Sequence, residues 1–274
     1  MRHIFTILSI FLAVSACNET SNSDPKFVVE GFLFAGERVG GFRVKEQTGI
    51  DEADSIQRLI TNASVVLKKE GEQYALQYDQ GYYKYSGNDL TVEPGDQFRL
   101  EVTVGDRTAT AETTVPNPTK GLTLSDDQMI IPELRLSFGL LNELTELFFS
   151  VRLTAEWDNL SEQLHFIVIE PASNILDPIY PEGFPHEGKD FLSGFKFAPE
   201  ATEVDTFSII GLAFDDYGRH RVKVYRVNQE YADLFNNPQQ DSRDLTQPPS
   251  NIINGFGIFS AFAADSVFFE IRRE

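Results

Sequence analysis

The chain has 274 residues and a formal net charge of −19 at pH 7, from 42 acidic against 23 basic side chains. That length suits one large or two modest domains, and an acidic surface repels phosphate, which disfavours nucleic acid as a partner. The one cysteine, Cys17, excludes an internal disulfide framework.

In chain order, Met1-Arg2-His3 is a short basic start, followed by the apolar run "IFTILSIFLAVSA" from Ile4 to Ala16. The run is too short to cross ~30 Å of hydrocarbon as a mature helix. A charged start, an apolar stretch and small residues at its end predict a secretory signal over residues 1–16. Val14-Ser15-Ala16-Cys17 resembles the bacterial lipobox: an aliphatic residue, two small ones, then cysteine. In such signals the sulfur takes a diacylglycerol, the peptide is cut before the cysteine, and the new amine is acylated. Cys17 is therefore the expected lipidation site. Acyl chains contribute ~0.8 kcal/mol per buried CH₂, so three of them exceed what stable anchoring needs. Lipidation also removes a free thiol from an oxidising compartment. Asn18 is not the aspartate that retains such proteins at the inner membrane, so the expected location is the outer membrane, at the surface or on the periplasmic face. Residues 17–25 read as a flexible polar tether.

Residues 26–118 alternate with period two between turn signals. "KFVVEGFLF" predicts a first strand. "ASVVLKKEGEQYALQYDQGYYKY" predicts three strands joined by turns at Glu70-Gly71 and Asp79-Gln80-Gly81. In "DQFRLEVTVGDRTATAETTVP", Phe98, Leu100, Val102 and Val104 share a face, and Gly105-Asp106 suits a type II′ hairpin turn. Short strands at this spacing predict an immunoglobulin- or fibronectin-like β-sandwich. "DEADSIQRLI", from Asp51 to Ile60, fits either a helical turn or an inserted loop.

Residues 119–274 predict a second mostly-β domain with one or two short helices. "FFSVRLTAEWD" puts Phe149, Val151, Leu153, Ala155 and Trp157 on one face, with "LHFIVIEP" as its expected partner strand. "FSIIGLAFDDYGRHRVKVYRV" reads as a hairpin across Asp215 to Gly218. Asn228 can cap a helix over "QEYADLF", and Asn236 to Asn251 is a polar, proline-rich loop. "GIFSAFAADSVFFEIRRE" closes the chain as strand.

Several stretches resemble one family. In "LTVEPGDQFRLEVTVGDRTATAETTVPNP", Val92, Pro94, Gly95, Leu100, Val102, Thr114, Val115 and Pro116 fit its first module, with Phe98 in the place of a usual tyrosine. "VYRVNQEYADLF" and "PPSNIINGFGIFSAF" fit its closing signature, a tyrosine-bearing helix and then "N-I-x-x-G-x-G-x-F", met by Asn251, Ile252, Gly255, Gly257 and Phe259. Ala232 stands where a second aromatic is expected. The chain is thus similar to the Bacteroidetes lipoprotein family called domain of unknown function 4249. The resemblance implies an outer-membrane or surface lipoprotein, commonly encoded beside TonB-dependent transporters, with no catalytic residues to carry over.

Residues suited to catalysis do not assemble into a motif. His165, His186 and His220 lie outside any H-E-x-x-H pattern; His165 reads as a core or edge residue and His220 as a solvated basic tip. Ser193 in "FLSGF" lacks the glycine of a nucleophile elbow. The pairs Asp126-Asp127 and Asp215-Asp216 could serve acid–base work or calcium, but "DDYG" is ordinary turn chemistry. No cofactor or metal is expected. The expectation is a non-enzymatic accessory to a TonB-dependent transporter, its ligand open. An adhesion or envelope-structural module and a surface hydrolase are the alternatives. Gly255 and Gly257 flanking Phe256 suggest a bend, bulge or close backbone approach, a structural turn feeding the last strand. The alternative is a partner- or ligand-binding loop of Asn251, Asn254, Gly255, Phe256, Gly257 and Phe259, where a glycine-rich turn can present an aromatic side chain.

Overall fold

A computed structural model describes residues 27–47, 58–134, 139–173, 177–180, 197–235 and 249–274. The expected signal, the Cys17 tether, His186, Ser193 and most of the loop 236–251 lie outside these residues, as does most of 51–60. The described chain is all-β, an immunoglobulin/fibronectin-like sandwich architecture with two short α-helices.

The first unit follows the alternation in the sequence. Strands β3 (Ser64–Lys69), β4 (Glu72–Asp79), β5 (Tyr82–Lys84), β6 (Gln97–Val104) and β7 (Arg107–Thr114) make a five-stranded sheet in the order β5-β4-β3-β6-β7. Both residues of the Glu70-Gly71 and Gln80-Gly81 turns have positive φ, whereas only Gly105 does in the third turn. The first two fit type I′ and the third type II′, the turns whose twist matches that of paired strands. Phe98, Leu100 and Val102 point inward with Val65 and Leu67. Opposite them lie β1 (Phe27–Phe34) and β2 (Arg43–Glu46), which donate Val29, Leu33 and Val44 to the same core, with Phe42 just before β2.

The second unit pairs its strands differently from the sequence expectation. Helix α1 (Leu140–Phe149) takes the start of "FFSVRLTAEWD", so Phe149 ends a helix and is 63% exposed. Leu140, Leu144 and Leu147 recur at helical spacing and pack on the second core, and this period overrides the two-residue alternation. Strand β10 (Arg152–Asp158) keeps Leu153, Ala155 and Trp157 buried, as its alternation requires. Its neighbours are β8 (Lys120–Leu124) and β13 (Thr206–Ile210), not the strand of "LHFIVIEP". That strand, β11 (His165–Pro171), lies between β12 (Phe197–Thr202) and β14 (Gly218–Arg226). The hairpin expected across Asp215 to Gly218 is likewise absent. A buried 3₁₀ turn, Gly211–Ala213, carries the chain from β13 in one sheet to β14 in the other.

One strand joins the two units. β15 (Phe256–Arg273) pairs along its first part with β1, in parallel, and along its second with β14. The short β9 (Gln128–Ile131) runs parallel to its far end. The result is a sheet in the order β12-β11-β14-β15-β1-β2, with β9 beside β15. Phe259 and Ala261 sit in the first core, Phe269 and Ile271 in the second. The first core therefore also takes Ile252, Phe259 and Ala261 from beyond the expected division at 118/119, because β1 pairs with β2 on one side and with the start of β15 on the other.

Candidate functional site

A cleft of about 930 Å³ opens between the ends of β3, β6 and β7 and the helix α2 (Gln229–Phe235). It joins two regions of sequence resemblance more than a hundred residues apart, the Gly95–Thr114 hairpin and the helix after Asn228. β6 and β7 place Arg99 and Glu112 on the outward register of the sheet, while the intervening residues enter the core. Phe98, 2% exposed, stands beneath Lys69, whose ammonium lies 5.7 Å from its ring centre.

Each cation of the cleft is held by carboxylates. Lys69 Nζ is 2.6 Å from Asp96 and donates to the Thr91 carbonyl at 3.1 Å. Lys68 Nζ is 2.7 Å from Glu101, and its hydrogen bond, with Arg99 assisting, holds the Glu101 carboxyl below its ordinary pKa. Arg99 also donates to Glu112 at 2.8 Å. At the helix, Glu230 Oε1 accepts from the hydroxyls of Thr113 at 2.8 Å and Ser260 at 3.2 Å, and from Asn228 Nδ2 at 3.2 Å. The Asn228 side-chain amide further donates to the Thr114 carbonyl at 2.8 Å, while the Asn228 backbone carbonyl accepts from the N–H groups of Tyr231 and Ala232. So Asn228 begins the helix as expected and ties it to β7. Tyr231 seats the helix from the other side, 4.9 Å from Phe262 and 5.5 Å from Phe166 between ring centres. Ala232 is fully buried, which leaves no room for the second aromatic.

The residues of the possible binding loop do not line this cleft; they lie at the start of β15, beside β1, and in the turn before it. The Asn251 side chain donates to the Phe259 carbonyl at 2.7 Å and accepts from its N–H at 2.9 Å, standing in for a neighbouring strand. Gly255 packs where a Cβ would meet Ile252, Ala109 and Phe27. Gly257 has φ +104 and lies against the Val29 backbone. Phe259 is fully buried, 6.0 Å from Phe42, which corrects its expected role as a partner contact: its ring fills the first core. Phe256 is half-buried at the start of β15, and Asn254 is exposed with φ 62. Ile253 bridges to Thr110 of β7 through two backbone hydrogen bonds, yet leaves its side chain 65% exposed. The signature thus encodes a strand crossing.

The histidines behave differently from one another. His165 is 2% exposed as expected; burial lowers its pKa, and the charge of Arg226 adds to this against a hydrogen bond that the ring donates to the Gln163 backbone. His220 is no solvated tip. It is 5% exposed, its Nδ1 is 3.0 Å from the Gly218 carbonyl, and its ring packs against Phe214 and Phe269. The alternation of β14 turns it inward while Arg219 and Arg221 turn out. Asp215 and Asp216 line a small 160 Å³ cavity beside it. Among the described residues no group of three or more His, Cys, Asp or Glu is placed to hold a metal ion. Glu230 and Thr113 are site residues the sequence reading missed. Thr113 carried a signal: it occupies the inward register after Ala109 and Ala111, where a polar side chain needs a partner.

The family model described as "Domain of unknown function (DUF4249)" matches residues 16–267. No curated protein matches the chain. Among solved structures, it is similar to a two fibronectin type-III domain segment from chicken tenascin, at 10% identity, with 90% of this chain and 98% of that one covered and a TM-score of 0.26. It is also similar to titin domains z1z2 in complex with telethonin, at 12% identity, 91% and 98% coverage and a TM-score of 0.20. A bacterial ice-binding adhesin gives 11% identity, 92% and 67% coverage and a TM-score of 0.19.

Proposed function

We propose that the chain, which belongs to the family of domain of unknown function 4249, is a non-enzymatic outer-membrane lipoprotein that assists a TonB-dependent transporter in capturing or admitting its ligand. The observation that carries this reading is Cys17 behind Val14-Ser15-Ala16, with the family match beginning at residue 16. An acylated amino terminus would keep the domain at the membrane where such transporters work. The association with transporters is what the family resemblance implies. The cleft adds support for binding over turnover, since its lysines and Arg99 are already neutralised by their own carboxylates. A polar, open groove of paired charges suits a hydrophilic ligand or a partner surface.

The test is affinity purification of the tagged full chain from native outer membranes, with its partners identified by mass spectrometry. The proposal expects a TonB-dependent transporter in stoichiometric recovery, labelled fatty acid on the unaltered chain, and loss of both in Cys17→Ala. Recovery of the acylated chain without a transporter would refute the accessory role. Failure of the unaltered chain to take up fatty acid would refute the lipoprotein reading.

A further inference from the structure

β14 turns a row of cations to the outer face of the large sheet. His220, Val222 and Val224 point inward, so Arg219, Arg221 and Lys223 stand on the other side, in a chain of net charge −19. The carboxylates beside them are already engaged. Glu170 of β11, opposite Arg221 in the register, accepts from Arg221 Nε at 2.9 Å and lies 3.1 Å from Lys223 Nζ. Glu270 of β15 stands opposite Arg219 but accepts instead from Arg272, at 2.7 and 3.1 Å. Asp126, at the margin, accepts from the Gln128 N–H at 3.0 Å. Asp265 pairs with the inward Val224 and so belongs to the opposite face. Arg219 is left lying over the Phe268 ring, 4.1 Å from its centre. Among the described residues its guanidinium makes no hydrogen bond and no ion pair.

An arginine stacked on an aromatic ring holds its planar fork in one orientation, with the donors at its edge free for a carboxylate. Phe268, 39% exposed, is that platform. Arg221 follows two residues along β14, about 6.8 Å away, which is the spacing of alternate side chains on an extended chain. We infer that Arg219 and Arg221, with Phe268 beneath the first, dock an acidic, extended segment of a partner protein whose two carboxylates are separated by one residue. Arg219 takes one carboxylate through its fork. Arg221, which shares the single Glu170 carboxylate with Lys223, takes the other. A lipid surface fits this face less well. Glu170 and Glu270 stand among the cations and would meet a uniform layer of anionic headgroups, whereas a segment of fixed register passes between them. The site does not depend on the partner being a transporter, so it can fail while that reading stands.

The experiment is side-chain NMR of the full chain with labelled arginine, titrated with two blocked pentapeptides, Ser-Glu-Leu-Glu-Ser and Ser-Gln-Leu-Gln-Ser. The Glu peptide shifts the Nε–H signals of Arg219 and Arg221 saturably, binds about tenfold or more tightly than the Gln peptide, and weakens as salt rises. Arg219→Gln keeps the parent's melting temperature, since it breaks no ion pair, and lowers the affinity by about tenfold. Phe268→Leu leaves every charge in place and still weakens binding, because the arginine loses its platform. No saturable shift at millimolar Glu peptide, equal binding of the Gln peptide, or parental affinity in Arg219→Gln overturns the inference. Parental affinity in Phe268→Leu overturns it as well, by reducing the site to undirected charge. Phosphatidylglycerol vesicles that shift the same signals and resist displacement by the Glu peptide assign the row to a lipid surface and overturn the partner segment. Shifts that grow with protein concentration alone assign it to a second copy of this chain and overturn the foreign partner.

Discussion

A Cβ on Gly257 would stand 2.0 Å from the Val29 carbonyl oxygen. Two parallel strands therefore approach here more closely than any side chain allows, at a residue with φ +104. Gly257→Ala must strain the backbone and push β1 from β15, so it should cost more than ~3 kcal/mol. Gly255→Ala meets Ile252, Ala109 and the Phe27 carbonyl at 3.0 to 3.3 Å, and should cost less, about 1–3 kcal/mol. Urea midpoints of the two variants check the order. A Gly257→Ala chain that unfolds at the parent's midpoint would contradict the close approach.

Phe256 and Phe259 separate packing from recognition. Phe259 is fully buried, and Phe259→Ala should cost ~3–5 kcal/mol. Phe256 is half-buried, and truncating it should cost roughly 1–2 kcal/mol by lost apolar burial. The smaller loss leaves a folded variant in which partner recovery can be measured. Aromatic anchors dominate interface energetics, so Phe256→Ala lowers transporter recovery if its ring contributes to the interface. Unaltered recovery assigns Phe256 to the strand crossing alone, as with Phe259.

The first unit was legible because its signals are local. A period-two pattern fixes the face of Phe98, Leu100 and Val102, and two-residue turns fix which strands pair. The second unit was not, because its pairings are long-range. β11 finds β14 across more than fifty residues, and the switch of sheets between β13 and β14 rests on a three-residue 3₁₀ turn with no strong sequence mark. Alternation also misled where it overlapped a helical period, as at Phe149. The closing signature was legible as a motif but not as a role. Gly255 and Gly257 suit either a close backbone approach or a binding loop, and the neighbouring β1 and β7 decide for the close approach.

His165 should make stability depend on pH near neutrality. Its folded pKa lies below the ordinary 6.5, first because burial disfavours the imidazolium and then because Arg226 repels it. The unfolded chain therefore binds more protons than the folded one below that value. Stability is full above pH 6.5 and falls as pH drops through it toward the lowered folded pKa. Urea midpoints between pH 8 and 5 should decline in the parent and decline less in His165→Phe, which cannot titrate. Parallel curves for the two chains would mean that His165 has a partner for its charged form.

The Glu230 carboxylate fastens α2 to the first unit. Glu230 Oε1 gathers the hydroxyls of Thr113 and Ser260 and the Asn228 amide, and both hydroxyl residues are buried. None of these donors is charged, so what the site needs is an acceptor oxygen rather than a negative charge. Glu230→Ala leaves buried hydroxyls unsatisfied and should cost about 1–3 kcal/mol. Glu230→Gln retains an acceptor in the same place and should recover most of that loss. Thr113→Val in the Glu230→Ala background should then cost less than in the parent, because the hydroxyl it removes no longer has a partner. Equal costs of Thr113→Val in both backgrounds would show that the Thr113–Glu230 hydrogen bond does not hold the helix.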